Sequence, residues 1–334
     1  MFRITENHRM RDVFTAPELC KVSRFLIYNP VQAEKGYDEQ LARLQIKTLS
    51  SFGWSPMGIC SGVNFLIDEI AVNRADQFFI YPKERITEDS ACKDVNVIQL
   101  KPKKQDATKP YILLAAGGGY TSVCTVVESL PTAKHFVEAG YTVFLLTYRV
   151  TTSLAVLKAL EDLAAAVDYI RLHADKLGVP ADRYICGGFS AGANLISSFG
   201  VPSIGYEAYN LPKPIMLIAI YTLVDLKAEP LVNGFGNFLQ LMFGEDYGNY
   251  VEKYDVLSQI DMKYPPCFLV CGLDDKTVPP LQSKRMKAAL DAAGVKNELE
   301  VHLHAPHGFG DGTGTDAEGW PERALAFLEQ LDRC

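Results

Sequence analysis

One serine of the chain is framed by glycines in a way that suits a nucleophile. In the segment 184–195, YICGGFSAGANL, a G-x-S-x-G pattern is centred on Ser190. An apolar, strand-like run precedes it and a helix-like run follows it, which is the context this pattern needs. A sharp strand-to-helix turn has no room for side chains at the flanking positions, so glycines there have a steric reason. The turn would place the serine hydroxyl at a helix N-terminus, where free N–H groups favour negative charge.

Three consecutive glycines end another strand-like run, in the segment AAGGGY at 115–120. Backbone without side chains can approach an acyl group closely and point its N–H groups at the carbonyl oxygen. The phosphate-binding patterns G-x-G-x-x-G and G-x-x-x-x-G-K are absent from this loop. We therefore expect the N–H groups of Gly118 and Gly119, together with that of Ala191, to form an oxyanion hole.

Two aspartates and a histidine follow late strand-like runs. Asp274 and Asp275 come directly after the run 267–271, and His307 follows the run 298–303. A carboxylate can hold a histidine in one tautomer, and a neutral histidine can then take the proton of a serine. The order serine, aspartate, histidine is one in which such triads occur along a chain. On these grounds alone, both aspartates compete for the carboxylate role.

Three neighbouring histidines raise the question of a metal site. His302 and His304 would share one face of a strand, with His307 close behind them. No glutamate or cysteine beside them follows a zinc-binding spacing. The aspartate-containing run at 311–316 lacks the spacing of a calcium loop. The sequence therefore predicts neither a bound metal nor a cofactor.

From residue 76 onwards, strand-like runs alternate with helix-like runs. Short apolar strands separated by amphipathic helices predict an α/β fold, with a mostly parallel central sheet and helices on both faces. The strand-like runs are 77–81, 95–100, 111–116, 142–147, 183–187, 215–220, 267–271 and 298–303, and the helix-like runs are 128–138, 154–177, 191–199, 280–293 and 321–331.

Residues 1–75 carry no catalytic cluster, and their pattern predicts a helical N-terminal extension that packs on or caps the core. A second helix is expected over 59–70, after a turn-rich break at 52–56. The first helix would begin at Asp38 and place three leucines on one side: Leu41, Leu44 and Leu49.

Residues 76–334 are predicted to form the catalytic domain, interrupted by a helical insertion at 225–265. Connections of this length usually carry their own helices or cover a functional site. The insertion either walls off a small acyl pocket or only packs onto the core. Its apolar and polar residues are interleaved: Phe235, Phe238, Leu241 and Met242 with Asn233, Asn237, Gln240, Asp246 and Asn249.

Composition narrows the class of protein. The chain has 334 residues, of which 48% are hydrophobic and 22% charged, and its net charge of −7 argues against nucleic-acid binding. It contains no run of roughly 18 apolar residues and no apolar signal region behind its N-terminal basic residues. Several of the eight cysteines lie inside strand-like runs, as small buried side chains do. We expect a cytoplasmic protein without a membrane partner; whether it forms a homo-oligomer stays open.

Together, these segments resemble the α/β-hydrolase superfamily, and more narrowly the bacterial acetylesterase and xylan-esterase-like hydrolases. The match runs from about Phe78 to the C-terminus and also includes LTYR at 146–149, DLAAA at 162–166 and MFG at 242–244. Such esterases often have a histidine before the three glycines, where this chain has Ala116.

The resemblance implies the α/β-hydrolase fold and a set of roles. Ser190 would be the nucleophile and His307 the base. Asp275 would be the carboxylate, because the aspartate of these hydrolases precedes x-x-Val-Pro, here residues 276–279. The implied activity is that of a serine carboxylesterase acting through an acyl-enzyme on short-chain, above all acetyl, esters of carbohydrates, with a small-molecule ester as the partner. A serine peptidase or amidase of the same fold, and a non-catalytic hydrolase-fold receptor, are the alternatives.

Overall fold

The structure, a computed structural model, describes residues 2–32, 37–150, 154–228 and 238–332. Its centre is one sheet of eight strands with the order β1-β2-β4-β3-β5-β6-β7-β8. The strands are β1 Ala75–Phe79, β2 Asn96–Leu100, β3 Tyr111–Ala115, β4 Val143–Thr147, β5 Tyr184–Phe189, β6 Met216–Ile220, β7 Cys267–Gly272 and β8 Asn297–His302.

The sheet is mostly parallel, as the sequence predicts. Strand β2 runs antiparallel to both of its neighbours, β1 and β4, and the six strands from β4 to β8 in the sheet are parallel to one another. Strands β2 to β7 are buried along nearly their whole length, and the parallel strands among them are mainly apolar runs rather than alternating ones. Because parallel strands end at one edge of the sheet, the loops after β3, β5, β7 and β8 meet there.

Twelve α-helices are described around the sheet. They are α1 Met10–Phe14, α2 Glu39–Arg43, α3 Pro56–Ala71, α4 Lys83–Glu88, α5 Ser129–Glu138, α6 Ala155–Leu172, α7 Ala174–Leu177, α8 Ala191–Phe199, α9 Phe238–Phe243, α10 Gly248–Tyr254, α11 Leu281–Ala292 and α12 Trp320–Leu331.

Both faces of the sheet are covered, and each face has its own apolar core. Helices α3, α5 and α12 pack against one face, and α6, α8, α9 and α11 pack against the other. This two-sided burial confirms the predicted α/β-hydrolase architecture. Among the described residues, no helix has the length and apolar character needed to cross a membrane.

The region before β1 contributes α1, α2 and α3 to the face that α5 and α12 share. Helix α3 lies directly against α5. The division of the chain into a 1–75 extension and a 76–334 catalytic domain stays a prediction. The described part of the 225–265 insertion contains α9, α10 and a 3₁₀ helix, Val256–Gln259.

The first predicted helix is wrong in its extent. Asp38 does begin α2, because its carboxylate accepts the N–H groups of Gln40 and Leu41. The helix ends at Arg43, however, and Leu44 is extended at φ −73° and ψ 139°. Backbone hydrogen bonds from Met10 to Leu44 and from Ile46 to His8 pair this segment with the N-terminus, so it leaves the helix. The third predicted leucine, Leu49, therefore lies on a separate 3₁₀ helix, Ile46–Phe52.

The predicted helix over 154–177 is also wrong as one element, because the structure divides it into α6 and α7 at His173. The ring of His173 stacks on that of Tyr169, with 4.3 Å between the centroids, and its Nδ1 lies 2.8 Å from the Tyr169 carbonyl oxygen. The backbone of His173, at φ −113° and ψ 18°, leaves the helical range, and its N–H donates to the carbonyls of both Tyr169 and Ile170, each at 3.2 Å.

Candidate active site

Ser190 occupies the sharp turn between β5 and α8. Its backbone lies at φ 53° and ψ −118°, a conformation that non-glycine residues rarely adopt. Its N–H donates to the carbonyl of Ile220, at 3.0 Å, which holds the turn against β6. A Cβ atom on Gly188 would overlap the carbonyl of Gly192, and one on Gly192 would overlap that of Ala115. The two glycines of the pattern are therefore required by close backbone contacts.

The structure brings His307 and Asp275 to Ser190. The Nε2 atom of His307 lies 2.9 Å from the Ser190 Oγ, and its Nδ1 lies 2.8 Å from Oδ2 of Asp275. The other oxygen of Asp275 accepts the N–H groups of Thr277, at 2.8 Å, and Val278, at 2.9 Å. The Asp275 carboxylate is buried and held on both oxygens, so it has one orientation toward the imidazole.

Asp274, the competing carboxylate, has a different partner. Its Oδ1 accepts the N–H of Ala305, at 2.8 Å, and so ties the end of β7 to the segment that carries His307. Geometry thus separates the two neighbouring aspartates, and Asp275 is the one beside the imidazole.

Gly118, Gly119 and Ala191 line one cavity of about 240 Å³ together with Ser190 and His307. Among the described residues, none accepts a hydrogen bond from the N–H of any of these three. A Cβ atom on Gly118, whose φ is 131°, would overlap the carbonyl of Ser122. The loop therefore requires glycine there, and three backbone donors remain available beside the serine. Their role as an oxyanion hole stays a prediction.

A buried glutamate, Glu128, holds the glycine loop through a hydrogen bond, and the sequence reasoning missed it. One oxygen of Glu128 accepts the N–H of Gly117, and the other accepts the hydroxyl of Tyr221, at 2.9 Å. The Tyr221 ring in turn contacts the His307 ring, with 4.7 Å between the centroids. Burial raises the pKa of the Glu128 carboxyl, while the Gly117 N–H, His307 and the Tyr221 hydroxyl oppose that shift. Glu128 therefore connects the glycine loop to the side chain that packs on the histidine.

Nothing in the sequence pattern marks Glu128 or Tyr221, because each lies in a run whose other residues pack into the core. The two side chains come into contact only because the loop after β3 meets the end of β6 in the folded chain.

The remaining walls of the cavity are mainly apolar. Phe238 of α9 and Leu223 belong to the segment after β6, so the described part of the insertion does reach the site. Two other apolar residues of α9, Met242 and Phe243, are buried in the core instead. The predicted insertion residues Asn233, Phe235 and Asn237 lie outside the described residues.

Cys124 also lines the cavity, and burial raises the pKa of its thiol to about 12. The protonated thiol is a poor nucleophile, so it does not compete with Ser190.

Two aromatic side chains from the N-terminal region complete the cavity. Phe52, the last residue of the 3₁₀ helix Ile46–Phe52, and Trp54 flank Gly53 in the sequence, and both line the cavity that contains Ser190. The sequence identified this segment only as a turn-rich break.

The other histidines of the late segment have structural partners. His302 Nε2 lies 2.9 Å from a carboxylate oxygen of Glu300, which Arg323 also binds. The backbone N–H of the exposed His304 donates to Asp316. In the part of the chain that the structure describes, no three His, Cys, Asp or Glu side chains are grouped so as to hold a metal ion.

The BD-FAE family model matches residues 98–290, more than half of the chain. The chain belongs to the BD-FAE family. The matched segment begins within β2 and contains β3 to β7 with Ser190 and Asp275, whereas Phe52, Trp54 and His307 lie outside it. The resemblance to α/β-hydrolases is thereby confirmed.

Two solved structures with a similar fold are described as an ester hydrolase and an esterase. An acetyl ester-xyloside bifunctional hydrolase from Caldicellulosiruptor lactoaceticus is similar at 23% identity and a TM-score of 0.65, covering 76% of this chain and 95% of that one. A thermophilic esterase from Thermogutta terrifontis, solved with bound propionate, is similar at 21% identity and a TM-score of 0.59, covering 78% of this chain and 93% of that one.

Among curated proteins, Endo-1,4-beta-xylanase B from Butyrivibrio fibrisolvens is 24% identical to this BD-FAE chain over 221 residues, which is 61% of this chain. The aligned segment is 32% of that protein, so this chain matches about a third of its length.

Proposed function

We propose that this protein is a serine carboxylesterase that hydrolyses short-chain esters, above all acetyl esters of carbohydrates. Ser190, His307 and Asp275 would act as its triad, with Gly118, Gly119 and Ala191 as the oxyanion hole. The observation that carries the proposal is the continuous chain from Asp275 through His307 to the Ser190 Oγ, which opens onto a cavity with backbone N–H donors.

In the acylation step, neutral His307 takes the Ser190 proton on Nε2 while Oγ attacks the carbonyl carbon of the ester. The carbonyl π electrons move to the oxygen, and the N–H groups of the glycine loop stabilise that negative charge. Asp275 stabilises the imidazolium through Nδ1–H. The tetrahedral intermediate then expels the alcohol, which takes its proton from His307 and leaves an acyl-serine.

In the deacylation step, water takes the place of the alcohol. His307 removes a proton from the water as its oxygen attacks the acyl carbon, and it returns that proton to Ser190 as the acid leaves. The net reaction is ester plus water to acid plus alcohol. The chain's own residues move every proton in this sequence.

The comparisons support the substrate class. The acetyl ester-xyloside hydrolase and the xylanase among the similar proteins agree with a sugar, and the propionate-bound esterase agrees with a short acyl group. The cavity of about 240 Å³ is below the usual range of roughly 300–1,000 Å³ for pockets that take larger ligands.

Fluorophosphonate labelling and acetate release test the proposal together. Wild-type protein is expected to be labelled at Ser190 and to release acetate from acetylated xylo-oligosaccharides. Ser190→Ala should abolish the labelling and lower kcat by about 10⁶-fold, since it removes the nucleophile and only one oxygen atom.

Ser197→Ala is a matched control, because this buried serine of the same helix lies outside the chain of contacts to His307. Labelling that persists in purified Ser190→Ala would contradict the assignment of the nucleophile. Cleavage of aminoacyl amides in preference to acetyl esters would favour a peptidase, and absence of both labelling and turnover would favour a receptor.

A further inference from the structure

Two aromatic residues of the N-terminal region, Phe52 and Trp54, form part of the wall of the cavity that contains Ser190. The ring centroids of Phe52 and Trp54 are 5.8 Å apart, and the planes are tilted by 41°. Phe52 is 57% exposed although it is a large apolar side chain, and Trp54 is half-buried. Both side chains border the same cavity as Ser190. An exposed apolar surface that continues a reaction cavity indicates contact with a ligand.

This pair is held directly against the residue that would protonate the leaving group. Gly53 lies so close to the carbonyl of His307 that a Cβ atom there would overlap it. On the other side, a Cβ atom on Gly308 would lie 2.8 Å from the Trp54 ring. The two aromatic side chains are therefore fixed on the His307 side of the serine.

Contacts further along the segment fix its position. The Ser55 hydroxyl donates to the carbonyl of Thr313, at 2.9 Å, and also accepts the N–H of Gly58 at the start of α3. The segment is thus attached both to α3 and to the loop that follows His307. A surface held on both sides loses little conformational entropy when a ligand binds.

The direction of the reaction identifies which part of an ester meets this pair. In acyl transfer, the leaving alcohol receives its proton from His307, so it must lie on the His307 side of the Ser190 Oγ. The acyl group would then lie on the other side of the Ser190 Oγ, away from His307. Phe52 and Trp54 would therefore contact the alcohol part of the substrate.

The two tryptophans of the chain differ in the hydrogen bonding of their indole N–H groups, and this difference favours a substrate whose alcohol part is polar. Trp320 is fully buried, and its indole N–H donates to the carbonyl of Gly310, at 3.0 Å. No described residue accepts a hydrogen bond from the indole N–H of Trp54. An apolar ring face with a free donor suits a pyranose, which has a C–H face and hydroxyl acceptors.

We propose that Phe52 and Trp54 form a subsite for the pyranose ring that carries the ester group. The inference rests on the proposed esterase function and adds a specificity determinant from outside the segment that the family model matches. The pair would bind the sugar before reaction and leave the acyl chemistry to Ser190 and His307.

The test is a ratio of two kcat/KM values measured with each protein. One substrate is a monoacetylated methyl xylopyranoside, and the other is ethyl acetate, which has the same acyl group and no ring. Phe52→Ala and Trp54→Leu are expected to lower the ratio by about tenfold, mainly through a higher KM for the pyranoside. Because Phe52 is exposed, its truncation tests the subsite without depending on the packing of Trp54.

Phe79→Ala is the matched control. Phe79 is 49% exposed, so it resembles Phe52 in burial, but it lies on the edge strand β1 and not in the cavity. Its ratio is expected to equal that of the wild type.

Five outcomes would overturn the inference. If the variants lost kcat/KM equally on both substrates, the pair would only hold His307 in place. If the variants changed the ratio of kcat/KM for ethyl butyrate to kcat/KM for ethyl acetate, the pair would contact the acyl group instead. A larger loss on phenyl acetate than on the pyranoside would indicate an aryl alcohol. A wild type that hydrolyses ethyl acetate but not the pyranoside would remove the subsite and leave the esterase standing, whereas inactivity on every ester would overturn both.

Discussion

At the scale of single residues, the two adjacent aspartates are expected to differ in their effect on turnover. Asp275→Asn should lower kcat by about 10⁴-fold, because an amide in that place favours the wrong tautomer of His307. Asp274→Asn should cost far less, since its side-chain oxygen can still accept the N–H of Ala305. Steady-state kinetics on an acetyl ester compare the two variants, and the reverse ranking would move the role to Asp274.

Substitution of Glu128, whose carboxyl is buried, is expected to lower the free energy of unfolding. Glu128→Ala leaves the Gly117 N–H and the Tyr221 hydroxyl without their partner and should destabilise the fold by about 1–3 kcal/mol for each unsatisfied group. Glu128→Gln should cost less, because its oxygen can accept from Gly117 while the tyrosine hydroxyl rotates to accept from its amide. Urea unfolding measures both, and equal losses would show that the hydrogen bonds contribute little.

At the scale of elements, a histidine connects α5 to the loop behind His307 and to α12. His135 Nε2 lies 3.2 Å from Asp311, and its Nδ1 lies 2.7 Å from Glu322. Burial lowers the pKa of His135, but the two carboxylates outweigh it and raise the pKa above its ordinary value. A raised pKa means that protonated His135 stabilises the fold below its unfolded-state pKa, and that this contribution is lost as the pH rises through the folded-state pKa.

The consequence is a pH-dependent difference in thermal stability. The Tm of wild-type protein should exceed that of His135→Gln by more at about pH 6 than at about pH 9. Thermal unfolding of both proteins at the two pH values measures it. His173→Gln is a matched control, because His173 contacts a backbone carbonyl and a tyrosine ring rather than a carboxylate. A difference that grows toward high pH would contradict the assignment.

At the scale of the whole molecule, the cavity predicts a preference for short acyl groups. Each methylene that finds room would contribute up to about 0.8 kcal/mol, but a cavity of about 240 Å³, which Phe238 lines, offers little room. Across p-nitrophenyl acetate, butyrate, octanoate and palmitate, kcat/KM should be highest for the acetate. Phe238→Ala should shift the preference toward butyrate by opening the wall, and a wild-type maximum at octanoate would contradict the prediction.

Much of the fold could be predicted because it depends on local pattern. Buried strands such as β3 and β5 have apolar runs that need no partner to be recognised. The errors fall where distant segments compete with local preference. Pairing with the N-terminus, for example, ends α2 before Leu49.

The strand–turn–helix pattern around Ser190 could be recognised from the sequence, and the steric demand on Gly188 comes from the carbonyl of Gly192, four positions away, whereas the demand on Gly192 comes from Ala115 of β3. Tertiary structure decided the rest of the site. His307 is 117 positions from Ser190, and the meeting of loops at one edge of the sheet brings Asp275, rather than Asp274, to its imidazole. Tertiary structure also determines what Glu128, Phe52 and Trp54 contact. Short-range periodicity indicates which residues are buried, but not which distant segment they will contact.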